Sequence, residues 1–314
     1  MALKRVTISI SQIAPLVGLD AYNNFPRIIC DLWRKTDPTD FKLFENKIKE
    51  SGMQVATSSE MNDIWEADEA MGTNILQQVK DINLNKEKTS GDMVTQQEAI
   101  AKYINSNDKL AQLDTKQKEE LAKKVCSVTN KMHGVINEDS ILSEFCRLSE
   151  KTIKETQGWL EIPVENWRPS NSLDLSLFKW VLVGKYDAIT TDNELVEAKM
   201  RQKALFKKVR DYENVQVQLY LHALQFENAY LVESYTNKKS VNQVYVNEVK
   251  YDSEYVGETL LGRLGKFTEF FETFMTNDCE DPTIKEGLLR GDKDRKIYKK
   301  YESEYLCIDN SIDY

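Results

Sequence analysis

The chain has 314 residues, with 42 Lys or Arg against 51 Asp or Glu, for a net charge of −9. An apolar share of 41% is enough for a core and excludes wholesale disorder, while only 12 Gly and 6 Pro favour long helices over a turn-rich all-β fold. No apolar run approaches the ~20 residues of a membrane span, and the start MALKRVTISI lacks a secretory apolar segment, so a soluble intracellular chain, cytoplasmic or nuclear, is expected. The five cysteines are scattered without C-x-x-C spacing, which argues against a disulfide framework or a Cys-ligated metal. With only two histidines, His133 and His222, chemistry falls to carboxylates, lysines and amides.

Residues 1–50 read as a helical N-terminal part. PLVGLDAYNNF suggests a helix end and a turn, and Pro26 opens a helix through Ile28, Ile29, Leu32 and Trp33. Residues 51–130 are rich in Gln, Asn, Lys and Glu, with occasional anchors such as Trp65, Ile75 and Tyr103. They are expected to form a helical insertion with loose connections near 83–93 and 104–109. From 131 to 158, the spacing of Ile136, Ile141, Leu142, Phe145 and Leu148 predicts an amphipathic helix closed by Gly158.

The period then changes. FKWVLV (178–183) and ELVEAK (194–199) are β-rich, with Thr190-Thr-Asp-Asn193 as turn chemistry between them. A helix over 211–226 follows, then strands Ala229–Tyr235 and Val241–Val249 around an Asn-Lys-Lys-Ser turn. A helix over 253–276 carries Leu260, Leu261, Leu264, Phe267, Phe270, Phe271 and Phe274 as its apolar stripe. The charged tail, 281–314, is expected to be mobile. This order predicts an α/β fold, a mixed sheet flanked by helices, with its core in 131–280.

The chemistry concentrates between Gly184 and Tyr220. A three-residue turn, Thr191–Asn193, sets Asp187 directly across from Glu197, and two facing carboxylates need a proton or a cation between them. Oxygen-rich clusters suit Mg²⁺ or Mn²⁺. Lys199 shares the face of Glu197, whereas a two-residue turn would put the two acids on opposite faces. An isolated E-x-K is ordinarily a surface ion pair, and this chain has three, at Glu45–Lys47, Glu197–Lys199 and Glu248–Lys250. The middle one is set apart by the upstream Asp187 and by the following helix, where Gln216 and Tyr220 share a face. The stretch Lys199–Arg210 holds six basic residues and no acidic one, and Lys285–Lys300 holds seven basic against three acidic. Such runs can track phosphates on an acidic body, although a solvated face is the plainer reading.

G-x-x-D (184–187), E-x-K (197–199) and Q-x-Q with Tyr (216–220) together resemble the PD-(D/E)xK nucleases, in particular their lambda exonuclease and YqaJ-type recombinase branch. Two further blocks, ISQIAPLVGLDAYNNFPRIICDLWRK (10–35) and Gly134-Val-Ile-Asn-Glu138, are similar to that branch in the same order. The resemblance implies a restriction-endonuclease-like core with a helical insertion and metal-dependent phosphodiester hydrolysis. It implies two ions of Mg²⁺ or Mn²⁺ on Asp187, Glu197, Glu138 and the Ala198 carbonyl, Lys199 orienting the attacking water, and Gln216 holding the site or the scissile phosphate.

Ser11, Lys203, Lys207, Lys208, Arg210, Gln218 and Tyr220 are the expected DNA contacts. Implied partners are duplex DNA, degraded from the 5′ end in recombination, repair or viral DNA processing, a single-strand annealing protein, and two further copies in a trimeric ring. Tyr186 replaces the usual Pro before the motif Asp, and Gln12 stands where an Arg is common. Arg5, Arg27 and Arg34 are therefore the candidates for gripping a 5′ phosphate. An endonuclease, an RNA-degrading nuclease or a silent DNA-binding scaffold are the alternatives. The five tryptophans, His222 and Cys146 read as packing residues.

Overall fold

Two sheets organise the chain. In the first, β4 (Phe178–Lys185) is central, with β1 (Lys4–Ser9) parallel on one side and β3 (Trp159–Pro163) antiparallel on the other. The second has the order β2-β5-β6-β7-β8, comprising Ile153–Thr156, Ala188–Thr190, Leu195–Met200, Asn228–Thr236 and Asn242–Lys250. Only β6 and β7 run parallel there, so the sheet is mixed as the sequence predicts. The computed structural model describes residues 4–20, 25–53, 55, 60–75, 77, 90–136, 138–164, 178–201, 203–236, 242–276, 282–292 and 295–306. Trp167, Cys279, Cys307 and the expected turn at Asn237–Ser240 lie outside these residues, as do the side chains of Trp65 and His133.

The sheets meet in a seam. Thr156 pairs with Ala188, the Gln157 amide donates to the Asp187 carbonyl (2.9 Å), the Tyr186 amide donates to the Gly158 carbonyl (3.0 Å), and Trp159 pairs with Lys185. The chain bends at Tyr186–Asp187, so only 188–190 pairs with β6, while 178–185 belongs to the other sheet; the sequence had implied one continuous hairpin. Tyr186 is buried, its ring lies where a Cβ on Gly158 would sit (2.0 Å), and its hydroxyl donates to Glu155 at 2.6 Å. Gly158 therefore marks a close approach and does not end a helix. The predicted helix over 131–158 stops at Ser149, and β2 follows it.

Helices close both faces. First come α1 (Ile13–Leu16), α2 (Phe25–Thr36) and α3 (Pro38–Glu50). Ile28, Ile29, Leu32 and Trp33 are buried, as their spacing predicts. The segment 51–130 contributes α4 (Glu60–Met71), α5 (Ser90–Ser106) and the start of α6 (Thr115–Ile136). These helices have an apolar cluster of their own, around Ile64, Ile75, Ile100, Ile104, Leu110, Leu121, Val125 and Val128. Residues 108–110 form a 3₁₀ turn, where a loose connection was expected.

Helix α7 (Glu138–Ser149) packs Ile141, Leu142 and Phe145 against Ala188, Val196 and Val232. Helix α8 (Asp211–Leu224) carries the crossover from β6 to β7 and buries Val215, Val217, Leu219 and Leu221 in the main core. The Phe stripe of α9 (Gly262–Thr276), preceded by π-helical turns over Tyr255–Leu261, is core as expected. The charged tail is corrected in part. Helices α10 (Pro282–Leu289) and α11 (Lys296–Tyr301) bury Leu288, Leu289, Ile297 and Tyr301; Tyr301 stacks on Phe25 at 5.1 Å and donates to the Leu16 carbonyl. Apolar anchors inside a basic run decide its packing.

Candidate carboxylate site at the sheet seam

Thr190 and Glu194 close a three-residue turn: the Thr190 amide donates to the Glu194 carbonyl (2.9 Å) and the Asn193 amide to the Thr190 carbonyl (3.1 Å). Asn193 takes the left-handed conformation (φ 61°) that such a turn requires and that Asn tolerates. The turn sets the register Ala188↔Val196 and Ile189↔Leu195. The pairing ends there, and Asp187, the next residue back along the chain, carries its carboxyl to β6 beside Glu197. The Ala198 amide donates to Asp187 Oδ2 at 2.7 Å. In an extended strand the N–H and C=O of one residue point to the same side, so the Ala198 carbonyl also faces the end of β5, where the ladder has stopped.

Glu197 is buried, and its Oε1 accepts from Lys199 Nζ at 2.7 Å and from Gln216 Nε2 at 2.8 Å. Lys199 also reaches Gln216 Oε1 at 3.4 Å. Glu138, the first residue of α7, is half-buried and brings its carboxyl near that of Asp187 from the neighbouring helix. Asp187, Glu197, Ala198, Lys199, Gln216 and Glu138 thus lie near one another. One participant is new. Gln157, at φ 57° in the seam, donates its side-chain amide to Glu138 Oε1 and its backbone amide to Asp187. A lone Gln beside a Gly gives no periodic signal; only the positive φ it adopts marks it.

Burial sets the electrostatics. It pushes the Asp187 carboxyl up to about 6 against the pull of the Lys199 ammonium, and Glu197 up to about 7, again opposed by Lys199 and reinforced by the charge of Asp187. Burial also raises Glu138. For Lys199, burial alone favours the neutral amine, but Glu197 and Asp187 outweigh it and hold the ammonium above its ordinary range. Three carboxyls and one close ammonium leave the site short of positive charge.

Among the described residues, no three acidic, His or Cys side chains are already gathered around one point at ligand spacing. Gln157 covers one oxygen of Glu138, and Lys199 covers one oxygen of Glu197. The other oxygen, Glu197 Oε2, is buried and lacks a hydrogen-bond partner among the described residues. A buried carboxylate oxygen without a partner is costly, and an all-oxygen set fits a hard dication. The residues present therefore fit Mg²⁺ or Mn²⁺.

Beneath the site Tyr220 is buried, its hydroxyl donating to the Lys185 carbonyl at 3.0 Å, and its ring lies 2.5 Å from where a Cβ on Gly184 would sit. Glycine at 184 makes room for that ring. Tyr220 is thus a floor residue and not a DNA contact. Gln218 is corrected likewise: it is buried, donating to the Lys250 carbonyl and accepting from the Asp252 amide.

The basic run divides. Arg201 is buried and paired with Glu213 (2.6 Å) and Glu233 (2.5 Å), and Glu233 also accepts from the Lys207 amide at 2.7 Å. Lys203, Lys207 and Lys208 are exposed, while Arg210 is half-buried with its guanidinium 4.1 Å from the centre of the Phe206 ring. Ser11 is exposed and bonded to Ser9. Arg5 pairs with Glu161, Arg34 with Asp31, and Lys285 is buried against Asp40. His222 bonds the Tyr251 hydroxyl, in keeping with a packing role.

No protein-family model matches the chain, and no curated protein matches it in sequence. Among solved structures it is similar to an alkaline exonuclease (LHK-Exo) from Laribacter hongkongensis, at 11% identity and a TM-score of 0.34 over 57% of this chain and 88% of that one. The same exonuclease in complex with dAMP gives 11% identity and a TM-score of 0.33 over the same shares. The protein SSO0001 gives 14% identity and a TM-score of 0.32 over 62% of this chain and 83% of that one.

Proposed function

We propose that the chain is a divalent-metal-dependent nuclease that hydrolyses phosphodiester bonds, with duplex DNA degraded from its 5′ ends as the specific reading. One observation carries it: where the β5–β6 pairing ends, Asp187 is held on the Ala198 amide beside Glu197, with Lys199 on Glu197 Oε1 and Glu197 Oε2 left open. Asp187, Glu197, Glu138 and the Ala198 carbonyl are the groups that would hold Mg²⁺ or Mn²⁺. When bound, such ions supply Lewis acidity and lower the pKa of an attacking water. Lys199, an ammonium at the rim, orients that water and offsets the charge that develops on the phosphate. Gln216 fixes the Glu197 carboxylate, and Gln157 fixes Glu138. The exposed lysines at 203, 207 and 208 supply sequence-independent attraction to phosphates. The carboxylate geometry supports hydrolysis; the preference for DNA ends rests on the motif resemblance.

The deciding assay is end-labelled linear duplex with Mg²⁺ or Mn²⁺, with and without chelator, beside closed circles and structured RNA. Metal-dependent release of nucleotides from linear DNA is expected. Cleavage of circles or of RNA alone would move the substrate assignment, and no cleavage of any would end the nuclease reading.

A further inference from the structure

Trp33 and Trp180 are buried, but Trp159 is 63% exposed, the most exposed large apolar side chain among the described residues. It stands on β3, the outer strand of its sheet, directly across from the exposed Lys185. Cross-strand partners share a face, and side chains alternate along a strand. Trp159 and Lys185 therefore project away from the face where Tyr186 covers Gly158. Both border the Glu138 corner of the site: Lys185 is two residues before Asp187, and Gln157, two residues before Trp159, bonds Glu138 directly. Two residues of chain span at most ~7 Å, no more than about two stacked base steps of a DNA strand. Beyond them Glu161 is neutralised by Arg5 at 2.9 Å, so no unpaired acid from β3 opposes a phosphate there.

An open aromatic face beside a lysine is the pairing that holds a strand by stacking and charge together. The backbone under it is fixed by the ladder, so the indole is presented at a set distance from the carboxylates. We propose that Trp159 is a stacking platform for a base of the DNA strand entering the carboxylate site, a positioning residue that rests on the nuclease reading above.

The test measures binding and hydrolysis separately. Binding of a fluorophore-labelled duplex with a frayed end is followed by anisotropy in chelator, where nothing is cleaved. Trp159→Ala is expected to raise Kd about tenfold, and Trp159→Phe to recover most of that, since base–aromatic stacking is commonly worth this much. Hydrolysis of bis(p-nitrophenyl) phosphate with Mn²⁺, which presents no base, is expected to match the wild type in both variants. Equal Kd for wild type and Trp159→Ala overturns the stacking role, as do equal losses in the Ala and Phe variants or no DNA binding by the wild type. Tryptophan-dependent binding by a wild type that hydrolyses neither substrate supports the platform and overturns the nuclease reading instead.

Discussion

The backbone amide of Ala198 donates to the carboxylate of Asp187 at 2.7 Å. The strand that carries Glu197 and Lys199 thereby also aims the acid opposite them. Asp187→Asn keeps an acceptor for that amide and removes the charge. Cleavage of end-labelled duplex should fall below detection with an unchanged circular dichroism spectrum. DNA affinity measured by anisotropy should hold or increase, because a carboxylate that repels phosphate is gone. Wild-type cleavage by this variant would refute the site.

Glu197 Oε2 is the open position. A ligand at one hundred times its Kd stabilises the native state by about 2.7 kcal/mol, which for a chain of this size is a rise of several degrees in Tm. Mn²⁺ should produce such a rise in the wild type, chelator should reverse it, and Glu197→Gln should lose it. Differential scanning fluorimetry reads all three, and a Tm indifferent to Mn²⁺ counts against metal binding here.

Lys199→Met keeps most of the side chain's bulk and removes the ammonium. Loss of a donor aimed at developing charge costs about 3 kcal/mol, on the order of 10² in kcat. The loss should appear in kcat with KM nearly unchanged; a change confined to KM would make Lys199 a binding residue.

Gln157 acts through Glu138. Removing a partner that orients a metal-ligating carboxylate commonly costs 10- to 100-fold in metal affinity or activity. Gln157→Leu should therefore shift the Mn²⁺ concentration for half-maximal cleavage upward by about that factor, while saturating Mn²⁺ restores most of the rate. A rate insensitive to added Mn²⁺ would show that Gln157 serves the seam alone.

Charge reversal at Lys207 and Lys208 should weaken DNA binding and flatten its dependence on salt, by roughly one unit of logarithmic slope for each phosphate that is no longer neutralised. Unchanged affinity and slope would make this stretch a solvated face.

The hairpin at the site was legible because it is local: Thr190–Asn193 reads as turn chemistry, and of the two registers the sequence allows the three-residue turn is the one formed, pairing Ala188 with Val196. The sequence puts Gln216 and Tyr220 on one helical face; the roles of Gln216 and Glu138 rest on the motif resemblance alone. What escaped depends on distant chain. Arg201 looks like part of a basic patch until Glu213 and Glu233 arrive from α8 and β7 to bury it. Gln218 looks like a surface amide until the end of β8 supplies its two partners. Gly158 resembles a helix terminator, but its reason for being glycine is the Tyr186 ring, 28 positions later in the chain. β2 has a single apolar position and shows no alternation, whereas β1 does alternate, Val6 and Ile8 buried between Thr7 and Ser9, within a stretch read as helical; Trp159 could not be told from Trp33 without the neighbours that leave one bare and enclose the other.

The Arg201–Glu213–Glu233 trio also separates two kinds of positive charge by how they feel ions in solution. Counterions penetrate poorly to a sequestered pair, whereas at 1 M salt they damp exposed charges beyond ~3 Å. The brace under the 201–210 loop should thus stay closed in a buffer concentrated enough to silence Lys203, Lys207 and Lys208. Ionic strength then becomes a selective tool: a strong salt wash can strip adventitious polyanions from the purified protein and, after dilution, return the same basic surface intact.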